Sequence, residues 1–282
     1  MWGRLLRGRI FALLCFVSAL AGLLMLGLLL FDVIAEGGSR VTPGFLDAYP
    51  SRFPDRAGVK AALWGTLWVM SITALFCVPV GVAAAIYLEE YARPTRLNRF
   101  LQANIYNLAG VPAIIYGILG LALFVRGLQL ERSVLAGGLT LGVMSLPVVI
   151  ISAREALRSV PFSIREAAYG VGSSRWQMVR HHLLPAALPG ILTGSILALS
   201  RAIGEAAPLI VIGALTFIAF TPAGPFDPFT TLPVQIFNWA SRPQAEFQTV
   251  AAGGIIVLLA ILLAMNAAAI LVRNRYQRRL PW

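Results

Sequence analysis

Charge is scarce in this sequence of 282 residues: Asp, Glu, Lys and Arg together make up 12% of it, against about 25% in soluble domains. With hydrophobic residues at 58% and a mean hydropathy of +0.78, a water-soluble fold would expose large apolar patches, so lipid is the better solvent. The 12 acidic residues are outnumbered by 23 basic ones, for a net charge of +11. Those basic residues stand in short clusters between apolar runs and are not gathered on one face, which argues against nucleic acid as a partner. The two cysteines, Cys15 and Cys77, each lie inside an apolar run, where a thiol behaves as a small hydrophobe, and they imply neither a disulfide framework nor a metal site. The two histidines, His181 and His182, are adjacent, so a helix points them about 100° apart, a poor arrangement for one metal ion. There is one lysine, Lys60, and it follows Val59, which excludes the G-x-x-x-x-G-K-[ST] phosphate-binding loop.

What the sequence has in quantity is long apolar runs. A helix of about 20 apolar residues crosses the hydrocarbon core, and longer runs can tilt. Six runs qualify, Ile10–Ile34, Ala61–Leu88, Leu101–Val125, Val134–Ser152, Ala186–Phe220 and Thr249–Val272, so the expected fold is an all-α polytopic membrane protein with six spans. The fifth is too long for one simple span. The first follows Arg4, Arg7 and Arg9 as a secretory signal would, but its apolar run exceeds the 7 to 15 residues of a signal core. With the N-terminus inside, 15 basic residues fall on the cytoplasmic side and 7 outside, which places both termini in the cytoplasm. The chain then divides into an N-terminal span (1–35), an external segment (36–60), a main transmembrane domain (61–272) and a basic tail (273–282). The external segments Glu36–Arg56 and Thr221–Gln248 are rich in proline and glycine and are expected to be extended or turn-like. Pro79, Pro112 and Pro147 are expected to kink spans two, three and four. Glu89 and Glu90, followed by Arg93 and Arg96, read as a solvated cytoplasmic turn.

The cytoplasmic segment 153–185 is far more polar than its flanks and reads as two short helices. Ser163 with Glu166, and Ser174 with Gln177, each fit a capping box, and Gly170 and Gly172 lie between them, where a left-handed residue ends a helix. In the second helix Trp176, Val179 and Leu183 recur at spacings of 3 and 4, with Arg175 and Arg180 elsewhere. Such a helix faces a partner or the membrane surface. In span five, Arg201 and Glu205 are the only oppositely charged pair deep within a run. Charges there cost about 2.5–3.5 kcal/mol each on insertion scales and usually pair or line a wet path. The small residues Gly190, Gly194, Ala198, Ala202 and Ala206 form a ridge for close helix approach, and at about 100° per residue the charged pair shares its face. Pro208 is expected to leave the carbonyl of Gly204 free. The pair either neutralises itself and fixes helix register or contacts an anion transiently.

The spacing Glu166-Ala167-Ala168, Gly172, Leu184-Pro185 resembles the EAA loop of the membrane subunits of ABC-type importers, with His182 where that family often has an aliphatic residue. The resemblance implies that Glu166, Ala167, Ala168 and Gly172, with Trp176, Leu184 and Pro185 beside them, belong to the element that docks a cytoplasmic ATPase. Ser200–Gly213, together with Asn107–Gly117 (NLAGVPAIIYG) and Leu232–Trp239 (LPVQIFNW), resembles the PstA-type permeases of phosphate importers. That resemblance runs from about residue 61 to residue 279. It implies the type I ABC importer permease fold in a prokaryotic cytoplasmic (inner) membrane, with phosphate moved by alternating access. The implied partners are a second, PstC-like permease, two copies of a PstB-like ATPase and an external PstS-like phosphate-binding protein. No cofactor is expected on this chain, since ATP and Mg would sit on the ATPase, and no catalytic role is expected. A permease for sulfate, molybdate or a phosphonate is the neighbouring reading. An ATP-independent channel or an intramembrane enzyme is the more distant one.

Overall fold

A computed structural model of the chain describes the backbone of residues 2–277 and the side chains of residues 8–275; Arg4, Arg7, and the tail residues Arg278 and Arg279 lie outside the described side chains. Among the described residues there is no strand, only an isolated bridge between Ser133 and Pro228. In lipid every backbone polar group must find its partner internally, and helices do that within one segment. Five helical stretches are long and apolar enough to cross a membrane. They comprise α1 (Trp2–Gly37), α3 (Lys60–Ile86), α6 (Val134–Ser159), α9 (Leu184–Ala202, continuous with what precedes it) and α12 (Glu246–Gln277). A short external helix, α2 (Pro43–Asp47), separates α1 from α3. The centre is α6, capped by Ser133, whose hydroxyl accepts from the Ala136 amide; α3 packs along one side of it and α9 along another. Cys77, Val149 and Ala198 meet where the three helices touch. By contrast α1 is exposed along its length and rests chiefly on α12, with Cys15 facing outward.

The third span is not the straight helix that its composition predicts. It is a pair, α4 (Arg96–Ala109) and α5 (Ala113–Gly120), bent by 107°. Pro112, at φ −57° and ψ 139°, is itself outside the helical region and caps the start of α5 instead of merely kinking a continuous helix. Pro79 and Pro147 lie inside α3 and α6. The pair still makes one crossing. Glu89 at the end of α3 pairs with Arg154 near the end of α6, whereas the Val134 and Leu135 amides, at the other end, donate to the Asp227 and Pro225 carbonyls of the external segment. The 26 residues of α6 put these ends about 39 Å apart, so the bent pair must carry the chain from one side to the other. That makes six crossings.

One further boundary differs from expectation, and the overlong fifth run ends as its length requires. The second cytoplasmic helix and span five are one helix of 28 residues, in which α8 (Arg175–Met178) passes through a wide π turn, Val179–Leu183, into α9. The far end of the fifth run leaves the helix: α9 stops at Ala202, α10 (Ala207–Ile212) follows after a break, and Gly213, at φ +94°, ends it. The external segments contain more helix than their proline and glycine content predicts. Besides α2 there is α11 (Leu232–Ala240), with Pro233 in its first turn where no amide donor is required. Trp239 of α11 lies against Phe45, ring centroids 6.2 Å apart, in an apolar cluster with Phe247 and Val250 that caps α3 and α12.

Candidate functional site

On the cytoplasmic side α6 ends at Ser159, and after Val160–Pro161 the chain forms α7 (Phe162–Gly170), then a turn, then α8. Two helices are present, as expected, but only one of the two capping boxes is. Ser174 accepts from the Gln177 amide while the Gln177 side chain accepts from the Ser174 amide. Ser163 caps nothing, because Pro161 fixes the start of α7 two residues earlier and puts Ser163 inside it. Of the two glycines, Gly172 takes the left-handed conformation, at φ +82°.

The motif residues divide by direction. Glu166, Ala167, Gly172, Trp176 and Pro185 are exposed and Leu184 is half-buried. Ala168, expected on the docking surface, is instead turned inward, packed in a cluster with Leu157, Val160, Met178, Val179 and Leu183. Trp176 also departs from the expected face: at 58% exposure it does not join Val179 and Leu183. Met178 fills that role, centring the inward arc between positions 178 and 179 and leaving Trp176 more than 100° away. Phe162, Tyr169 and Val171 are likewise exposed, so the segment presents four large apolar side chains to water. A surface that polar flanks surround and apolar side chains dominate marks an interaction site. Beside it, Gly172, Gln177, His181 and His182 line a shallow hollow.

Above this surface lies a group of charges that sequence reasoning placed in solvent. Glu89 and Glu90 occupy a π turn, Tyr87–Tyr91, at the end of α3, and both are largely buried. Glu89 accepts from Arg158 Nε at 2.9 Å and lies 3.5 Å from Arg154 Nη2; Arg154 also donates to Gln102 Oε1 of α4 at 3.1 Å. Glu90 accepts from Arg165 of α7, with Nη2 at 3.0 Å. The Arg175 guanidinium stacks 5.5 Å from the Tyr91 ring centroid. A signal was present in the sequence: two consecutive carboxylates at the inner end of one span, and arginines at the inner end of another.

In span five the small-residue ridge packs on α6 as expected from Gly190 to Ala202, while Ala206 lies beyond the end of α9. A Cβ on Gly194 would collide with the Ser152 hydroxyl, and one on Gly190 would stand 2.8 Å from Ala156 Cβ. Arg201 does not share that face. It stands on the flank, its side chain 63% exposed, with Nε 3.6 Å from Glu205 Oε1. Arg201 is still within α9, but the ridge drifts round the helix and at this level Arg201 stands about 60° from Ala198 and about 100° from Ala202; the helix ends at Ala202, so Glu205 belongs to the break and not to the next turn. For the same reason Pro208 does not free a helical carbonyl; it lies in the first turn of α10. Arg201 lines a small hollow with Tyr116, Met144, Ser145 and Val148, level with the midpoint of α6. Next to it, Ser200 donates to Asn266 of α12 at 2.5 Å. Across from α10, Gly117 of α5 admits Pro208, whose Cα a Cβ there would meet at 2.8 Å.

Known proteins share both sequence and fold. A probable ABC transporter permease protein, YqgI of Bacillus subtilis, is 33% identical over 266 residues, covering 89% of this chain and 90% of its own length. Phosphate transport system permease protein PstA 1 of Mycobacterium tuberculosis is 32% identical over 278 residues, covering 94% of this chain and 88% of its own length. Among solved structures, a bacterial alginate ABC transporter, crystallised with an alginate-pentasaccharide-bound periplasmic protein, aligns at a TM-score of 0.69 with 15% identity, covering 95% of both chains. The inward-facing MetNI methionine ABC transporter aligns at 0.64 with 18% identity, covering 76% of this chain and 94% of its own. Residues 77–277 match the binding-protein-dependent transport system inner membrane component family. This chain therefore belongs to that family and is a multi-pass ABC importer permease subunit, not an enzyme.

Proposed function

We propose that the chain is the permease half of an ATP-driven importer of inorganic phosphate. The observation that carries this reading is Arg201, held beside a hollow level with the midpoint of α6 and 3.6 Å from a glutamate. A guanidinium offers two parallel donors to a tetrahedral oxyanion. A carboxylate beside it is unfavourable for a fully ionised anion such as sulfate, yet phosphate at neutral pH still carries a proton, and Glu205 can accept that hydrogen bond. The resemblance to permeases named for phosphate transport supports the same cargo.

The exposed flank around Arg201 is where a second, similar permease would complete the path. The docking segment, with Glu166, Ala167, Gly172 and Trp176 outward, would meet a pair of cytoplasmic ATPases that hold ATP and Mg. An external phosphate-binding protein would deliver cargo to the opposite face. Closure of the ATPases would press on the segment and open the path outward, and hydrolysis would let it open inward. Both membrane face and membrane identity follow the family: the cytoplasmic membrane, with the segment inside.

Uptake by the reconstituted complex tests the reading. Phosphate is expected to enter without competition from sulfate, and Glu205→Gln is expected to lower phosphate uptake by about tenfold, the worth of one charged hydrogen bond. Unchanged phosphate uptake in that variant would refute the role of Glu205, and equal transport of sulfate would refute the cargo.

A further inference from the structure

A docking helix transmits force only as well as it is fastened, and α7 is fastened in an unusual way. The one side chain it buries fully is Ala168, a single methyl, with Ile164 half-buried against the same cluster. Apolar contact of that size is weak and non-directional. The link to α6 is two residues long, and on its other side the chain turns at Gly172. What fixes the orientation of α7 is Arg165. Its guanidinium donates to Glu90 Oε1 from Nε at 3.1 Å, to the Val160 carbonyl from Nη1 at 3.0 Å and to the Leu157 carbonyl from Nη2 at 3.0 Å. Those two carbonyls belong to the end of α6 and its exit, which an α-helix leaves without internal partners. One planar group thus joins α7, the end of α6 and the π turn that ends α3. The side chains of Arg165 and Glu90 are only 12% and 9% exposed. The neighbouring Glu89, with Arg158 and Arg154, ties α3 to α6 a second time.

We propose that Glu90 and Arg165, supported by Glu89, Arg154 and Arg158, form a clasp that makes α7 and the inner ends of α3 and α6 one rigid lever, so that a displacement of α7 reaches the spans undiminished. These five are positioning residues for the coupling step. The inference rests on α7 being the helix the ATPase pushes. Charge serves here where apolar packing would not, because a forked donor meeting fixed acceptors sets an angle as well as a distance. Without the clasp, a push on α7 would be absorbed at residues 160–161 and at Gly172, and the spans would not follow.

The test uses the whole complex in proteoliposomes, with ATPase and binding protein, and reads phosphate taken up per ATP hydrolysed. Glu90→Gln removes the charge but leaves Arg165 its two carbonyl acceptors, so the fold is expected to survive. The ATPase is expected to remain bound and active while uptake per ATP falls on the order of tenfold, within the range of coupling free energies between sites. Arg165→Lys, which keeps charge but loses the fork, is expected to give an intermediate ratio. A wild-type ratio in assembled Glu90→Gln overturns the proposal. Should Glu90→Gln fail to assemble, Arg165→Lys decides in the same way, a lowered ratio supporting the clasp and a wild-type ratio refuting it. The docking reading fails by a separate observation: Ala167→Arg, which points outward and leaves the clasp intact, would then retain the ATPase.

Discussion

Arg154 is the most deeply buried charge described in the chain, its side chain 2% exposed, and its Nε has no partner. It depends on Glu89 at 3.5 Å and on the neutral Gln102 oxygen at 3.1 Å. Glu89→Gln would leave a buried cation facing only neutral acceptors. Breaking a buried pair from one side costs about 3–5 kcal/mol. Glu89 is itself 18% exposed, the pair is long, and glutamine retains an acceptor, so a cost of about 2–3 kcal/mol is expected here. The lost bond to Arg158 adds little, since that arginine is 45% exposed and such pairs are worth under about 1 kcal/mol. Arg154→Met removes the cation instead and leaves Glu89 its closer partner, so it should cost less. Combining the two should recover most of the loss, because the buried charge that made Glu89→Gln costly is gone. Thermal unfolding of the purified chain measures this. At about 2–4 °C per kcal/mol for chains of 150–250 residues, Glu89→Gln should melt roughly 4–12 °C lower. The reasoning is refuted if Glu89→Gln melts with the wild type, or if the double variant melts as low as the sum of the singles.

Two further outcomes follow from packing. Trp176→Ala truncates an exposed side chain and should change stability by less than about 0.5 kcal/mol, while weakening ATPase binding about tenfold or more if the segment is a contact hot spot; unfolding and copurification of the same preparation separate the two. Gly194→Leu forces a side chain into the Ser152 hydroxyl at the α6–α9 contact and should cost about 1–3 kcal/mol by overpacking, seen as a lower melting temperature, whereas Leu197→Ala on the exposed side of the same helix should leave it unchanged.

The spans were legible because hydrocarbon thickness dictates run length, and α3, α6 and α12 follow their apolar runs closely. Gly172 and the Ser174–Gln177 box were legible because caps are local chemistry. The misses share a cause. Whether a proline kinks a helix or ends it depends on what accepts the freed backbone: Pro147 stays inside α6, packed between α3 and α9, whereas Pro112 begins a new helix. The placement of Ser163 was decided by Pro161 before it. Glu89 and Glu90 looked solvated because their partners lie 65 to 75 residues away, and the one signal for them, charges of opposite sign at the inner ends of two spans, is not a local pattern. The face of Arg201 follows the periodicity once the drift of the ridge is allowed for, whereas that of Glu205 could not be derived from a helix that ends at Ala202.

The two cysteines have a practical consequence. Cys77 is sealed between α3, α6 and α9, and Cys15 lies on the lipid-facing surface of α1, so water-borne maleimides reach neither in an intact membrane. The native chain is thus already a silent background for thiol labelling. A cysteine placed at Ala167 or at Trp176, both of which face the aqueous side, would carry the sole accessible probe, and a fluorophore there could report each engagement of the segment in real time without any native thiol having to be removed.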